Sequence, residues 1–105
     1  MTIPEERLAQ IANRFAELEA RLASGQLEGE AFVAASRDYA ELEPVAKAAQ
    51  EVREMRAEIA QLAALAEDPE MKALADEELA ELREKLPEAE RRLAVAMLPR
   101  DAADA

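Results

Sequence analysis

Residues 45–66 read VAKAAQEVREMRAEIAQLAALA. Within them Val45, Ala48, Val52, Met55, Ile59, Leu62 and Ala66 recur at alternating steps of three and four, with Leu65 beside the last. That spacing draws one apolar seam along one face of an α-helix, whereas a half-buried strand would alternate with a period of two. Upstream, Phe32, Ala35, Tyr39 and Leu42 form a second seam that runs into Glu43 and Pro44. Proline has no N–H and disfavours the helical region for the residue before it, and the apolar phase restarts after Pro44 with a step missing. The pattern predicts helix from about Glu30 to Leu65, bent or interrupted at 42–44.

The flanks repeat the theme. Thr2 and Glu5 have capping-box spacing, so a helix is expected to begin there. Its seam is Leu8, Ile11, Phe15, Leu18 and Leu22, and Ser24 with Gly25 should close it, the glycine taking the left-handed backbone at little cost. Gln26 to Gly29 is the first connection. After Leu65, Asp68 has the chemistry of an N-cap and Pro69 suits a first helical position, so the chain should reverse at Glu67 to Glu70. A third helix carries Met71, Leu74 or Ala75, Leu79, Leu82, Leu86, Ala89, Leu93 and Met97, with Glu81–Lys85 and Glu88–Arg92 as expected i, i+4 pairs. Pro87 should bend it and Pro99 should end it by Leu98.

The expected fold is therefore all-α: an antiparallel three-helix bundle, or coiled-coil hairpin, with long second and third helices. At about 1.5 Å per residue the second helix reaches about 50 Å and the third about 45 Å, against about 33 Å for the first, so the later two should extend past it. Burial is thin where only two helices pair, which makes a homodimer of the isolated chain an expectation. Residues 1–98 read as one helical domain and 99–105 as an exit linker.

Composition narrows the function. The chain has 105 residues, 24 acidic against 13 basic, a net charge of -11 and aromatics at only 3%. Such a surface gives polyanions no summed positive field, which argues against binding driven by nucleic-acid phosphates. There is no Cys and no His, which removes disulfides, thiolate nucleophiles, the commonest general base and the commonest metal ligand. No apolar run approaches the roughly 20 residues of a membrane span and no signal peptide opens the sequence, so a cytoplasmic location is expected.

Chemistry-bearing constellations are absent by the same reading. Glu77, Glu78 and Glu81 are paired carboxylates, yet an amphipathic helix holds them in water, where their acidities do not separate. Ser24, Ser36, Thr2 and Tyr39 have no histidine partner, and Gly25 and Gly29 belong to no phosphate loop. Arg53 with Arg56, and Arg91 with Arg92, read as ion-paired surface positions. No catalytic, cofactor-binding or metal-ligating residue is assigned, and the chain is read as non-enzymatic.

Four stretches in order carry a family resemblance. The run Tyr39-Ala40-Glu41-Leu42-Glu43-Pro44-Val45 resembles a segment of the N-terminal domain of bacterial class I peptide chain release factors, in particular the type 1 factors. Glu67-Asp68-Pro69-Glu70-Met71 is similar to that family's acidic-Asp-Pro-acidic-Met turn, and Glu77 to Leu82 to its helix core. Met97-Leu98-Pro99-Arg100-Asp101-Ala102-Ala103-Asp104 is similar to its exit motif, with Arg100 for the usual Lys, Ala102 for a frequent Pro and Met97 for a frequent Leu.

The resemblance implies one module of a longer factor that recognises UAA and UAG stop codons on the ribosome and triggers peptidyl-tRNA hydrolysis. The chain contains neither the codon-reading tripeptide nor the Gly-Gly-Gln loop of that family. The implied role is docking near the large-subunit stalk base, with functional coupling to a GTPase release factor. If the helices simply alternate, residues 1–5 and the turn share the end farthest from Leu98, and that tip, Glu67, Asp68, Pro69, Glu70 and Met71, is the candidate partner contact. The alternative is a free-standing acidic coiled-coil adaptor or oligomerisation module.

Overall fold

A computed structural model describes residues 2–99. Three helices follow one another: α1 (Glu5–Ala23), α2 (Gly29–Leu65) and α3 (Lys72–Ala96). Among the described residues there is no strand. The predicted domain 1–98 is described from residue 2, and the predicted exit linker 99–105 lies, apart from Pro99, outside the described residues.

Helix α2 is the spine. Helix α1 runs antiparallel along its first two-thirds, from the Glu5–Arg53 contact at one end to the Tyr39–Glu19 contact at the other. Helix α3 runs antiparallel along the C-terminal half of α2, overlapping α1 at the junction, from Leu62 against Ala75 and Leu79 up to Ala49 and Val52 against Ala89 and Leu93. The two flanking helices are staggered, so the molecule is long and flat, 60 × 36 × 18 Å. Three helices meet only at the junction, where Ile3, Leu8, Ile11, Ala49, Val52, Ala89 and Leu93 form the larger core cluster. Beyond it α2 and α3 continue as a two-helix hairpin over Leu62, Ala75 and Leu79, as the length difference predicts.

The proline at 44 does not interrupt α2, which is continuous through it, and α3 is likewise continuous through Pro87. Each proline and the residue four before it, Ala40 and Arg83, is exposed, so the carbonyls left without a donor are solvated. Packing of Leu42, Val45 and Ala46 on the junction core holds the backbone helical where local preference would end it.

The helix ends depart from the sequence reading in two places. The Thr2–Glu5 capping box does not form: Pro4 is the N-cap residue without a side-chain cap, and its carbonyl accepts the N–H groups of Arg7 and Leu8. Ile3 is buried in the core and the Glu5 carboxylate is drawn to Arg53 at 2.9 Å, which removes both halves of the box. Asp68 does not cap α3, whose N-cap position is Met71. It organises the turn instead, its Oδ1 accepting the Glu70 N–H at 3.0 Å and its carbonyl the Met71 N–H at 3.0 Å, with Pro69 at the second turn position. Gly25 behaves as predicted, with φ of 72° after Ser24.

Candidate functional site

Two places on this frame gather polar groups: the α2–α3 turn and the junction. The turn is built by Asp68 and Pro69, and Glu67, Asp68, Pro69 and Glu70 are all exposed while Met71 is half-buried. It does not share its end with the N-terminus. Ile3 and Glu5 lie against Arg53 and Arg56, nine residues before Leu65, so α1 stops about 14 Å short of the turn. The expectation of a joint tip is thereby corrected, because α1 is held at the junction by Ile3 and by the arginines.

Charge is unevenly distributed along the rod. Between residues 57 and 82 Lys72 is the sole basic residue, set against Glu58, Glu67, Asp68, Glu70, Asp76, Glu77, Glu78 and Glu81. Lys72 is itself engaged by Asp76 at 3.0 Å along the helix. The hairpin end is thus strongly anionic, and the remaining cations cluster around and beyond the junction.

At the junction Arg56 donates from Nη2 to the Ile3 carbonyl at 2.6 Å and to Glu90 Oε2 at 2.9 Å, while its Nη1 lies 3.5 Å from Glu5. Glu90 is only 5% exposed, the single buried charged residue among those described. A buried carboxylate without a partner is costly, so the guanidinium's fork satisfies Glu90 and a main-chain carbonyl together. Sequence reasoning missed Glu90 because it stands among many helix-surface glutamates, and the only available signal was its place next to the seam residue Ala89. The predicted Glu88–Arg92 and Glu81–Lys85 pairs do not close; Arg92 reaches across to Glu51 on α2 instead.

Tyr39 stacks on Phe15 with ring centroids 4.7 Å apart, and its hydroxyl donates to Glu19 at 3.5 Å. Desolvation beside that ring, then the negative charges of Glu19 and Glu43, push the phenol above its usual 10.0. Of the four hydroxyls considered as nucleophiles, Tyr39 is thus a packing residue, and the Ser24 hydroxyl donates to the Arg21 carbonyl at 2.7 Å at the end of α1. Glu77, Glu78 and Glu81 are exposed as expected, and no group of three carboxylates able to hold a metal ion occurs among the described residues. An open groove of about 430 Å³ lies where Pro99 leaves the junction, lined by Arg7, Ile11, Leu42, Pro44, Val45 and Leu98 among others. No described helix is long and apolar enough to cross a membrane.

The arrangement is that of an elongated, acidic helical rod, and a family model for the PCRF domain matches residues 11–105. The chain belongs to the PCRF domain family. It is 73% identical over 105 residues to the peptide chain release factor 1 of Novosphingobium aromaticivorans, covering 100% of this chain and 29% of the relative. Against the peptide chain release factor 1 of Erythrobacter litoralis the identity is 72% over 104 residues, 99% of this chain and 29% of the relative. Against that of Dinoroseobacter shibae it is 48% over 103 residues, 98% of this chain and 29% of the relative. The chain therefore spans under a third of the length of these curated relatives. No solved structure matches it. The similarity of this PCRF domain to these relatives extends beyond the four quoted stretches to the whole chain, α1 included.

Proposed function

We propose that this PCRF domain is the N-terminal ribosome-docking part of a cytoplasmic peptide chain release factor that directs translation termination at UAA and UAG. The observation that carries the reading is the 73% identity over all 105 residues to a peptide chain release factor 1. A compositional likeness between acidic coiled coils does not reach that identity over a full chain, which disfavours the adaptor reading. In this account codon reading and peptidyl-tRNA hydrolysis belong to the remaining length of the factor, and the domain performs no chemistry. The strut holds the factor near the large-subunit stalk base, with the turn Glu67 to Met71 as the contacting tip, and supports coupling to a GTPase release factor. The exposed, anionic turn, remote from the junction where Leu98 and Pro99 lie against Ile11, Leu42 and Val45, supports that placement.

The test uses ribosomes loaded with peptidyl-tRNA at a stop codon. The 105-residue chain alone should release no peptide, and in excess it should slow release by an intact factor through competition. Peptide release by the chain alone, or no slowing at any concentration, would contradict the reading.

A further inference from the structure

The hairpin beyond the junction has two unlike faces, and two cross-helix ion pairs identify them. Glu51 and Arg92 each stand one residue before a seam residue, Val52 and Leu93, and they pair. Arg56 and Glu90 each stand one residue after a seam residue, Met55 and Ala89, and they also pair. In antiparallel helices a side chain one position before the seam turns about 100° from the interface in each helix, and the reversal of direction brings both to the same side. Residues preceding the seam therefore share one face and residues following it share the other. Arg56 fixes the second face as the one covered by α1, since it bonds the Ile3 carbonyl and Glu5.

Applied to the hairpin seam of Ile59, Leu62, Ala66, Ala75, Leu79 and Leu82, where α1 no longer reaches, the rule places Glu58, Gln61, Leu65, Leu74, Glu78 and Glu81 on the face turned away from the side that α1 occupies at the junction. The opposite face carries Ala60, Ala63, Glu67, Asp76, Ala80 and Arg83 at equivalent positions, with no large apolar side chain. Leu65 is 41% exposed and Leu74 is 55% exposed, in a part of the chain otherwise dominated by carboxylates and alanines. Two large apolar side chains flanked by Glu58, Glu78 and Glu81 on the junction side and by the acidic turn on the other have the anatomy of a contact: an apolar centre with a charged rim.

We infer that this Leu65–Leu74 face docks onto a basic protein surface bearing an apolar pocket. The inference rests on the docking reading above and names the side chains that anchor it. Charge decides the occupant. The glutamate rim repels nucleic-acid phosphates and equally repels a second copy of a chain whose net charge is -11, whereas a Lys/Arg-rimmed pocket complements it.

The experiment compares three variants of a complete release factor carrying this domain: Leu65→Ser with Leu74→Ser; Glu58→Lys with Glu78→Lys and Glu81→Lys; and the tip reversal Glu67→Lys with Asp68→Lys and Glu70→Lys. The probes are salt-washed ribosomes and protein-free ribosomal RNA. The serine variant should bind ribosomes at least about tenfold more weakly with an unchanged thermal midpoint, because both leucines are already exposed in the folded domain. The rim variant should weaken binding and flatten its salt dependence, a readout that holds even if the serine variant folds poorly. Ribosome binding within twofold for both face variants, while the tip reversal weakens it, overturns the inference and leaves the docking reading standing. Full affinity in all three variants overturns both. Face-dependent binding to bare RNA, or a self-dimer that only the serine variant abolishes, overturns the assignment of a basic protein partner.

Discussion

The Arg56 guanidinium bridges the Glu90 carboxylate at 2.9 Å and the Ile3 carbonyl at 2.6 Å, so one side chain of α2 ties α3 to the segment that precedes α1. The helices it links do not lie side by side. Their relative placement depends on this bridge and on the small apolar cluster beneath it, Leu8, Val52 and Leu93, each wholly buried. Arg56→Ala should destabilise the domain by about 3 kcal/mol, since it strands a carboxylate that water barely reaches. The double variant Arg56→Met, Glu90→Leu should recover most of that loss, because removing both charges leaves nothing unpaired. Chemical denaturation of the two variants checks this; equal stability loss in the single and the double would contradict it.

The two prolines inside helices should each cost stability. Pro44 and Pro87 are exposed, so replacement by Ala forfeits little packing and restores a backbone donor for Ala40 or Arg83. Each substitution should raise stability by about 1–3 kcal/mol, the upper figure being the usual cost of an interior proline. Thermal melts of Pro44→Ala and Pro87→Ala give the answer directly.

Asp68 and Thr2 separate a working local bond from an unused motif. Asp68→Ala removes the acceptor of the Glu70 N–H and should cost about 1 kcal/mol. Thr2→Ala should cost no more than about 0.5 kcal/mol, the range of surface substitutions that touch nothing special, because no capping box forms. A loss for Thr2→Ala equal to that for Asp68→Ala would restore the capping box.

Tyr39 supplies a pH signature. Its phenol is held above 10.0 by desolvation beside Phe15 and by Glu19 and Glu43, so the folded state prefers the protonated form. The stability this contributes is complete below pH 10 and is lost as pH rises through the raised value. Ultraviolet titration should show phenolate forming at higher pH in the folded than in the unfolded chain. Glu19→Gln should lower the folded midpoint.

Much of this was legible in the sequence because the fold is made of seams. The spacing of Val45 to Ala66 and of Leu79 to Met97 is a statement about one face of a helix, and antiparallel pairing follows from short connections. What periodicity does not encode is which partner covers a seam. Phe32 lies on the α2 seam and is 47% exposed, because the stagger leaves the start of α2 without α3. At the choice between Leu74 and Ala75 the smaller residue is buried, since close approach of two helices favours Ala at the contact. Capping signals misled where tertiary demands overrode them, at Glu5 by Arg53 and at Asp68 by the turn. The bridge to Glu90 depends on residues distant in sequence, and no local pattern marks it.

The central claim is that the domain positions a factor and performs none of its chemistry. Its most direct test is peptide release by a complete factor carrying Glu67→Lys, Asp68→Lys and Glu70→Lys, measured over a range of factor concentrations on stop-codon ribosomes. The account predicts a higher half-saturating concentration with the maximal release rate unchanged. An unchanged half-saturating concentration, or a loss confined to the maximal rate, would contradict it.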